Sequence, residues 1–301
     1  MRRIQVHRLV GVATILFCIF GGFMIIGGNI KLLWKPMEMV IIFGSGIGGL
    51  LLGCNISHLK ALGSQLKGVF KRSRHTKAFY QELILLNFEL IRLRSAPSGS
   101  KQVEKHIENP ATSDIFKKYP LILAESILMV FIVDNYRVTT LGQVSAHELD
   151  DSMDAEIEAI TEELNHPNAM LNKLGDAFPG FGVLGAVMGI ILTMQSIDSD
   201  ISMIGMNIAT ALVGTFLGIF GCYCVCFPLS TALKGDVERS ILPLYMVKQM
   251  LVTAIAGKPP LLCIDAGRRM IEMEEKPTFS LIESWTLKID DRRKNDKDAR
   301  A

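Results

Sequence analysis

Four apolar stretches with almost no charge dominate this sequence and restrict the folds that it can adopt. They cover residues 9–28, 37–54, 177–197 and 203–229. A helix needs about 20 apolar residues to cross the hydrocarbon core of a bilayer, so each stretch is predicted to be a transmembrane helix. The short connections 29–36 and 198–202 predict two helical hairpins, which are separated by the long charged segment 55–176.

The composition agrees with a chain that is partly in lipid and partly in water. Hydrophobic residues make up 49% and charged residues 21% of the chain, which is too apolar for one water-soluble domain and too charged for a chain wholly inside lipid. We therefore predict an all-α integral membrane protein with four transmembrane helices and a helical cytoplasmic domain. Its predicted parts are an N-terminal segment with the first hairpin (1–54), a cytoplasmic helical domain (55–176), the second hairpin (177–229), and cytoplasmic C-terminal helices with a charged tail (230–301), disordered from Asp290.

Basic residues are concentrated on one side of the apolar stretches. Three arginines precede the first stretch, and six Lys or Arg residues lie within 60–77, after the second. The opposite side has only two lysines, Lys31 and Lys35. Because cytoplasmic loops have the excess of Lys and Arg, the sequence predicts that both termini and the segment 55–176 are cytoplasmic.

The overall charge and the cysteines argue against several classes of function. The 32 basic and 30 acidic residues give a net charge of +2, whereas nucleic-acid-binding proteins show a basic excess, so we expect no nucleic acid partner. The six cysteines have no paired framework and are predicted to be reduced thiols. Cys222 and Cys226 would share a helix face from which Cys224 points away, which is poor geometry for a metal centre. We expect no metal site and no cofactor.

Ionisable residues are missing from the centres of the four apolar stretches. Asp, Glu, Lys, Arg and His are absent there apart from Glu38, at the edge of the second stretch. Proteins that carry ions across membranes usually have an intramembrane ionisable group. Either this chain is not an ion pathway, or another polypeptide provides the carboxylate. The absence of His, acidic pairs and Ser–His combinations from the stretches also argues against an intramembrane enzyme.

Small residues and two prolines are the notable features of the second hairpin. Its glycines recur at three- to four-residue spacing: Gly182, Gly185 and Gly189, then Gly214, Gly218 and Gly221. Such spacing lets helices approach closely, either in an oligomer or within one four-helix bundle. Pro179 and Pro228 lie at the predicted cytoplasmic ends of the two helices. They either kink or hinge the helices there or mark helix boundaries.

The segment between the hairpins is predicted to be helical. Residues 76–95 place apolar side chains at three- to four-residue spacing, which indicates an amphipathic helix. Residues 121–133 are apolar but too short to cross a bilayer, so we predict a buried helix rather than a fifth span. Ser145 and Glu148 form a capping-box pattern that predicts the start of an acidic helix, ending near residue 164.

Several co-linear motifs resemble one known family. They are GGFMIIGGNIKLLWKPMEMVIIFGSGIGGLLLG (21–53), KRSRHTKAFY (71–80), IENPATSDIFKKYP (107–120), GDAFPGFGVLGAVMGIILTM (175–194), ALVGTFLGIFGCYCVCFPLSTAL (211–233) and GKPPLLCIDAGRR (257–269). Over nearly its whole length the chain is similar to the MotA family, the stator A subunits of flagellar motors in the MotA/TolQ/ExbB proton channel superfamily. Energy transducers of this superfamily have one span before their large insert, whereas this chain has two, which favours the flagellar branch. A non-flagellar energy transducer driven by the proton-motive force is the alternative.

The resemblance implies an ion channel of the bacterial inner membrane that needs a partner. In the family, five A subunits surround two peptidoglycan-binding B subunits of the MotB type, and a membrane aspartate of the B subunit carries the ion. Changes in the charge of that aspartate would be passed to the cytoplasmic domain with the help of Pro179 and Pro228. Thr215 would face the ion path. Sodium-driven relatives have Thr where this chain has Ala186, so the resemblance favours protons.

The resemblance also implies a charged contact with the switch-complex protein of the rotor. The family uses one Glu and one Arg of the cytoplasmic domain for this contact. They correspond to Glu104, ahead of the IENP motif, and to Arg94, with Arg92 as the alternative register. We expect both side chains on an exposed charged face, where ion pairs worth about 0–1 kcal/mol each would steer the contact rather than hold it tightly.

Overall fold

The computed structural model describes residues 6–71, 74–142, 144–195 and 201–298, with side chains up to residue 291. Nearly all of these residues are helical, as predicted. The helices are α1 (Val6–Ile25), α2 (Pro36–Gly53), α3 (Ile56–Val69), α4 (Lys77–Arg94), α5 (Gly99–Glu108), α6 (Pro120–Leu123), α7 (Ser126–Leu141), α8 (Ala146–Gln195), α9 (Ile201–Ile255), α10 (Pro260–Arg268) and α11 (Phe279–Asp298).

Four of these helices are long and apolar enough to cross a membrane, which confirms the predicted number of spans. They are α1, α2, α8 and α9. Exposed apolar side chains such as Phe17 (73% exposed) and Leu52 (93%) are stable there only against lipid or another polypeptide. The last two residues of the predicted third span, 196–197, and the connection 198–200 lie outside the described residues.

The acidic helix does not end near residue 164 but continues into the third span as one helix, α8. It passes through Pro167 and Pro179, each of which removes one backbone hydrogen bond. The side chain of Met170, between the two prolines, is buried, and burial of apolar surface offsets that loss. The predicted domain boundary after residue 176 therefore falls inside a helix.

Three spans contain a short π-helical segment. These segments are Phe17–Gly21 in α1, Val40–Gly44 in α2 and Gly221–Cys226 in α9. A π-helical segment inserts an extra residue into a helix and frequently marks a functional site. The segment in α9 ends two residues before Pro228, so the expected irregularity of this helix lies next to the proline.

The described residues form two compact units. The span unit contains those of 1–72 and 164–237, and the peripheral unit contains those of 73–163 and 238–301. In the span unit, α2, α3, α8 and α9 provide the buried core, with side chains such as Ile42, Leu62, Phe178 and Leu217. Helix α1 contributes no fully buried residue, so much of its apolar surface is exposed in the single chain.

The peripheral unit has a larger apolar core built around α4 and α7. Phe79, Leu83 and Leu90 of α4 pack with Phe131 and Tyr136 of α7 in this core. The apolar segment 121–133 forms α6 and the first half of α7, and this confirms a buried helix rather than a fifth span. The capping box is confirmed as well. The backbone N–H of Ser145 donates to Glu148 Oε2 (2.9 Å), and the N–H of Glu148 donates to Ser145 Oγ (3.2 Å).

The charged C-terminal segment is helical up to Asp298 rather than disordered from Asp290. One face of α11 is apolar enough to pack, since Ile282 and Thr286 are buried. Further along the helix, Asp290 forms an ion pair with Arg92 of α4. These contacts stabilise a helix whose polar composition alone would not, because most helical stability in proteins comes from tertiary packing.

Candidate functional site

The third and fourth spans pack against each other through glycines of α8 and α9. A β-carbon at Gly182 would lie 2.9 Å from the carbonyl oxygen of Gly214 and 3.2 Å from the Cα of Gly218. A β-carbon at Gly189 would lie 3.0 Å from the Cβ of Ala211. These glycines therefore serve close antiparallel packing within one chain, which supports the bundle alternative for them rather than the oligomer alternative.

Ala186 and Thr215, the two residues that the family resemblance assigns to the ion path, lie beside this glycine contact. A β-carbon at Gly182 would lie 3.3 Å from the Cα of Thr215, and one at Gly214 would lie 3.5 Å from the backbone nitrogen of Ala186. Both residues are partly exposed. The structure thus places the backbone of both residues at the contact between α8 and α9.

The two prolines flank the next contact between the same helices. A β-carbon at Gly175 would lie 3.0 Å from the Cβ of Cys226 and 3.0 Å from Cε1 of Phe227. Pro179 lies one turn beyond Gly175 in α8 and is partly buried, whereas Pro228 follows Phe227 in α9 and is exposed. Both prolines lie inside continuous helices, so they do not mark helix boundaries.

Glu38, expected at the edge of the second span, is buried against the third and fourth spans. The residue is 7% exposed. Its Oε2 would lie 2.7 Å from a β-carbon at Gly185 and 3.0 Å from one at Gly214. Among the described residues, none provides a hydrogen-bond partner for this oxygen. The one ionisable residue that the sequence placed at the edge of a span is therefore buried among three of the spans.

The signal for Glu38 was present in the sequence but weak. Glu38 lies in the first turn of an apolar helix, where an acidic residue is usually interpreted as a water-exposed group that stabilises the helix N-terminus. Only the glycines at 185 and 214, far away in sequence, leave room for its carboxyl group between the helices. Periodicity within one segment cannot reveal such a pairing between three segments.

The expected rotor-contact residues lie on α4 and α5 of the peripheral unit. Arg94 ends α4 and is partly buried, and its Nε has no hydrogen-bond partner among the described residues. Burial lowers the pKa of Arg94, while Tyr136 and Cys263 act in the opposite direction. Glu104, in α5, is also partly exposed. The expectation of a fully exposed face is therefore too simple for Arg94.

A tight turn fixes the position of α5 relative to the end of α4. Ser98 has a positive φ of 60°, and Gly99 begins α5 directly behind it. A β-carbon at Gly99 would collide with the backbone carbonyl oxygens of Leu93 and Arg94. Glycine is therefore required where the chain passes the last turn of α4.

Arg92, the alternative rotor-contact residue, has a partner inside the unit. Its guanidinium forms an ion pair with the carboxylate of Asp290 in α11, and the two side chains are 32% and 36% exposed. An arginine held in this way is less available to another protein than Arg94. The choice between Arg94 and Arg92 as the rotor contact stays a prediction, and the observed difference is that Arg92 is paired with Asp290.

Comparison with known proteins places the chain in a family along most of its length. Residues 9–97 match the motility protein A N-terminal family, and residues 124–246 match the MotA/TolQ/ExbB proton channel family. The chemotaxis protein LafT of Vibrio parahaemolyticus is 45% identical over 93% of this chain and 98% of its own length. Motility protein A of Escherichia coli is 37% identical over 91% of this chain and 93% of its own length.

Two solved structures have the same fold. The structure of C. jejuni MotAB superposes with a TM-score of 0.70 at 20% identity and covers 89% of this chain and 96% of the matched one. The flagellar MotAB stator complex from Bacillus subtilis gives a TM-score of 0.66 at 23% identity, covering 85% and 92%. The fold, the order of the motifs and the identity to motility proteins over more than 90% of the chain agree, and the chain belongs to the MotA family.

Proposed function

We propose that this chain is the A subunit of a flagellar motor stator. With a B-type partner it forms a proton channel that converts proton flux into torque on the rotor. The observation that carries the proposal is the 37% identity to a motility protein over 91% of the chain, which includes both hairpins and the segment between them. The two spans before the insert and the names of the relatives do not favour the non-flagellar energy transducer.

The partner is a peptidoglycan-binding subunit of the MotB type that supplies a membrane aspartate. Five copies of this chain surround two copies of the partner. The exposed apolar surface of the spans supports such an assembly, because α1 has no buried residue in the single chain. Both solved relatives are described as MotAB, a complex of A and B subunits.

The assembly lies in the bacterial inner membrane with both termini of this chain in the cytoplasm. The lysines and arginines within 60–77 support this orientation, as do Lys234 and Arg239 beyond the fourth span. In this orientation the peripheral unit is cytoplasmic and meets the switch-complex protein of the rotor through Arg94 and Glu104.

The ion acts by changing the charge of the partner's aspartate beside α8 and α9. Since glycines hold these helices in close contact, a small change in packing at one position displaces the neighbouring backbone. Pro179 and Pro228 lie where each helix lacks a backbone hydrogen bond, so bending is concentrated there. Thr215 offers a hydroxyl to the ion path. Ala186 has no side-chain oxygen, whereas a sodium ion would need the additional oxygen ligand that a threonine provides.

Rotation in a host that lacks its own stator tests the proposal. The chain is expressed with the B-type gene of the same genome, and rotation of tethered cells is recorded. We expect rotation only when both genes are present, and rotation that persists when sodium is replaced while the proton gradient is kept. Absence of rotation with both proteins in the membrane would contradict the motor function, and loss of rotation without sodium would contradict the choice of proton.

A matched pair of threonines tests the ion path. Thr215→Ala should reduce rotation, because it removes the hydroxyl beside the glycine contact. Thr210 lies on the same helix and is likewise partly exposed, but its hydroxyl is bound within its own helix, where it donates to the carbonyl oxygen of Met206 (2.9 Å). Thr210→Ala should therefore rotate normally. Equal effects of the two substitutions would remove Thr215 from the path.

A further inference from the structure

We infer that Glu38 is a proton-binding site of this chain itself, at the extracytoplasmic side of the ion path. The role on the path rests on the function proposed above, whereas proton binding by Glu38 does not. The partner's aspartate would then be the second acid that a proton meets.

The first reason is the position of the carboxyl group. Glu38 belongs to the second span, but its Oε2 reaches the space in front of Gly185 and Gly214, within 2.7 and 3.0 Å of where their β-carbons would be. Gly185 directly precedes Ala186, and Gly214 directly precedes Thr215. The carboxyl group therefore lies against the sequence neighbours of both residues that the family resemblance assigns to the ion path.

The second reason is the absence of a partner for a buried acid. Glu38 is only 7% exposed, and none of the described residues offers its Oε2 a hydrogen bond. Residues 177–195 of α8 and 201–221 of α9 contain no Asp, Glu, Lys, Arg, His, Cys or Tyr. An unpaired carboxylate is costly in hydrocarbon, so the neutral acid is favoured there.

Two features favour the charged form instead, which makes the site titratable rather than permanently neutral. Glu38 lies in the first turn of α2, whose N-terminus carries a partial positive charge. Lys35, one turn earlier, is near enough to act on the carboxyl group electrostatically. The connection 29–35 faces the extracytoplasmic side in the proposed orientation, so protons reach Glu38 from that side.

The chemistry is a single reversible protonation. A proton from extracytoplasmic water forms an O–H bond at a carboxylate oxygen of Glu38, and the negative charge is lost. When the proton leaves toward the α8–α9 contact, that O–H bond breaks and the carboxylate returns. No oxidant, reductant or metal ion takes part.

Infrared spectroscopy of the purified complex with its B-type partner tests proton binding directly. A protonated carboxyl group gives a C=O stretching band, which we expect to weaken as the pH rises. Other carboxyl groups contribute to this band, so the part of it that belongs to Glu38 should be missing in Glu38→Gln, which keeps the shape of the side chain but cannot bind a proton. It should remain in Met37→Gln, because Met37 is 76% exposed on the same helix. A wild-type spectrum that equals that of Glu38→Gln at every pH would overturn the inference.

Rotation then tests the role of the site on the path. Glu38→Gln should reduce rotation and remove much of its dependence on external pH, Glu38→Asp should restore part of both, and Met37→Gln should behave as wild type. If Glu38 titrates but the wild-type complex does not rotate a motor, the proposed function fails and the proton site stands. If the complex rotates and Glu38→Gln keeps the wild-type pH profile, the proposed function stands and Glu38 is not on the path.

Discussion

The guanidinium of Arg8 binds the carboxylate of Asp236 through two parallel hydrogen bonds, from Nη1 to Oδ2 (2.8 Å) and from Nη2 to Oδ1 (2.7 Å). Arg8 also donates to the backbone carbonyl of Val69. The pair joins the start of α1 to the part of α9 that follows the fourth span. Since α1 has no buried side chain in the single chain, this ion pair is a principal contact of the helix, together with the packing of Phe20 on Phe216 and Phe220.

Loss of the Arg8 pair should destabilise the span unit. The two side chains are 15% and 33% exposed, so the bidentate pair is less screened than a surface ion pair. We expect Arg8→Ala to cost roughly 2 kcal/mol and Arg8→Lys somewhat less, because lysine keeps the charge but not the forked geometry. Thermal unfolding of the purified complex measures the loss. Arg8→Ala and Asp236→Ala should together cost less than their sum, and strict additivity would show that the pair is not coupled.

The contact between α8 and α9 should tolerate no added carbon at Gly218. A β-carbon there would lie 2.5 Å from the carbonyl oxygen of Phe178 and 3.0 Å from the Cα of Gly182. We expect Gly218→Ala to cost about 1–3 kcal/mol by overpacking and to reduce rotation. The matched control is Gly205→Ala in the same helix, because no atom lies within 4 Å of a β-carbon at Gly205. Equal melting temperatures for the two variants would contradict the close packing described above.

Stability of the peripheral unit should fall at mildly acidic pH because of His75. The ring packs at a tilt of 48° against Phe79, with centroids 4.6 Å apart, and burial lowers the pKa of His75 while Glu125 partly opposes this. The unfolded chain, with a pKa of about 6.5, binds a proton before the folded one does. This contribution to stability is therefore present above about pH 6.5 and is lost as the pH falls from there toward the folded pKa.

Melting temperatures of the purified complex between about pH 7.5 and pH 5 measure this effect. The decline should be smaller in His75→Gln than in wild type. His147→Gln is the control, because the side chain of His147 is 87% exposed and lies in the same unit. A decline that is unchanged in His75→Gln would mean that other groups cause the acid sensitivity.

Much of the fold could be predicted from the sequence because each span is a local pattern. Hydropathy found four spans, helical spacing found α4, and the Ser145–Glu148 pattern found the start of α8. Prediction failed where distant segments decide the outcome. Helix α8 continues past Pro167, next to the buried side chain of Met170, although a helix end was predicted there. Asp290 pairs with Arg92 in a segment that was predicted to be disordered. The burial of Glu38 could not be predicted for the same reason, since its environment comes from two other helices.

The choice between Arg94 and Arg92 as the rotor contact can be decided by two single substitutions. Arg92 is bound to Asp290, so Arg92→Ala should cost up to about 1 kcal/mol of stability and leave torque nearly unchanged. Arg94 has a buried Nε without a partner among the described residues, so Arg94→Ala should cost little stability. It should reduce torque, because it removes the charge that we propose meets the rotor. Bead rotation under load and thermal unfolding measure the two properties.

Asp290→Ala should reproduce the stability loss of Arg92→Ala, and the two together should cost no more than either alone. If Arg92→Ala stops rotation while Arg94→Ala does not, the register is the alternative one, and α11 covers the residue that the rotor needs.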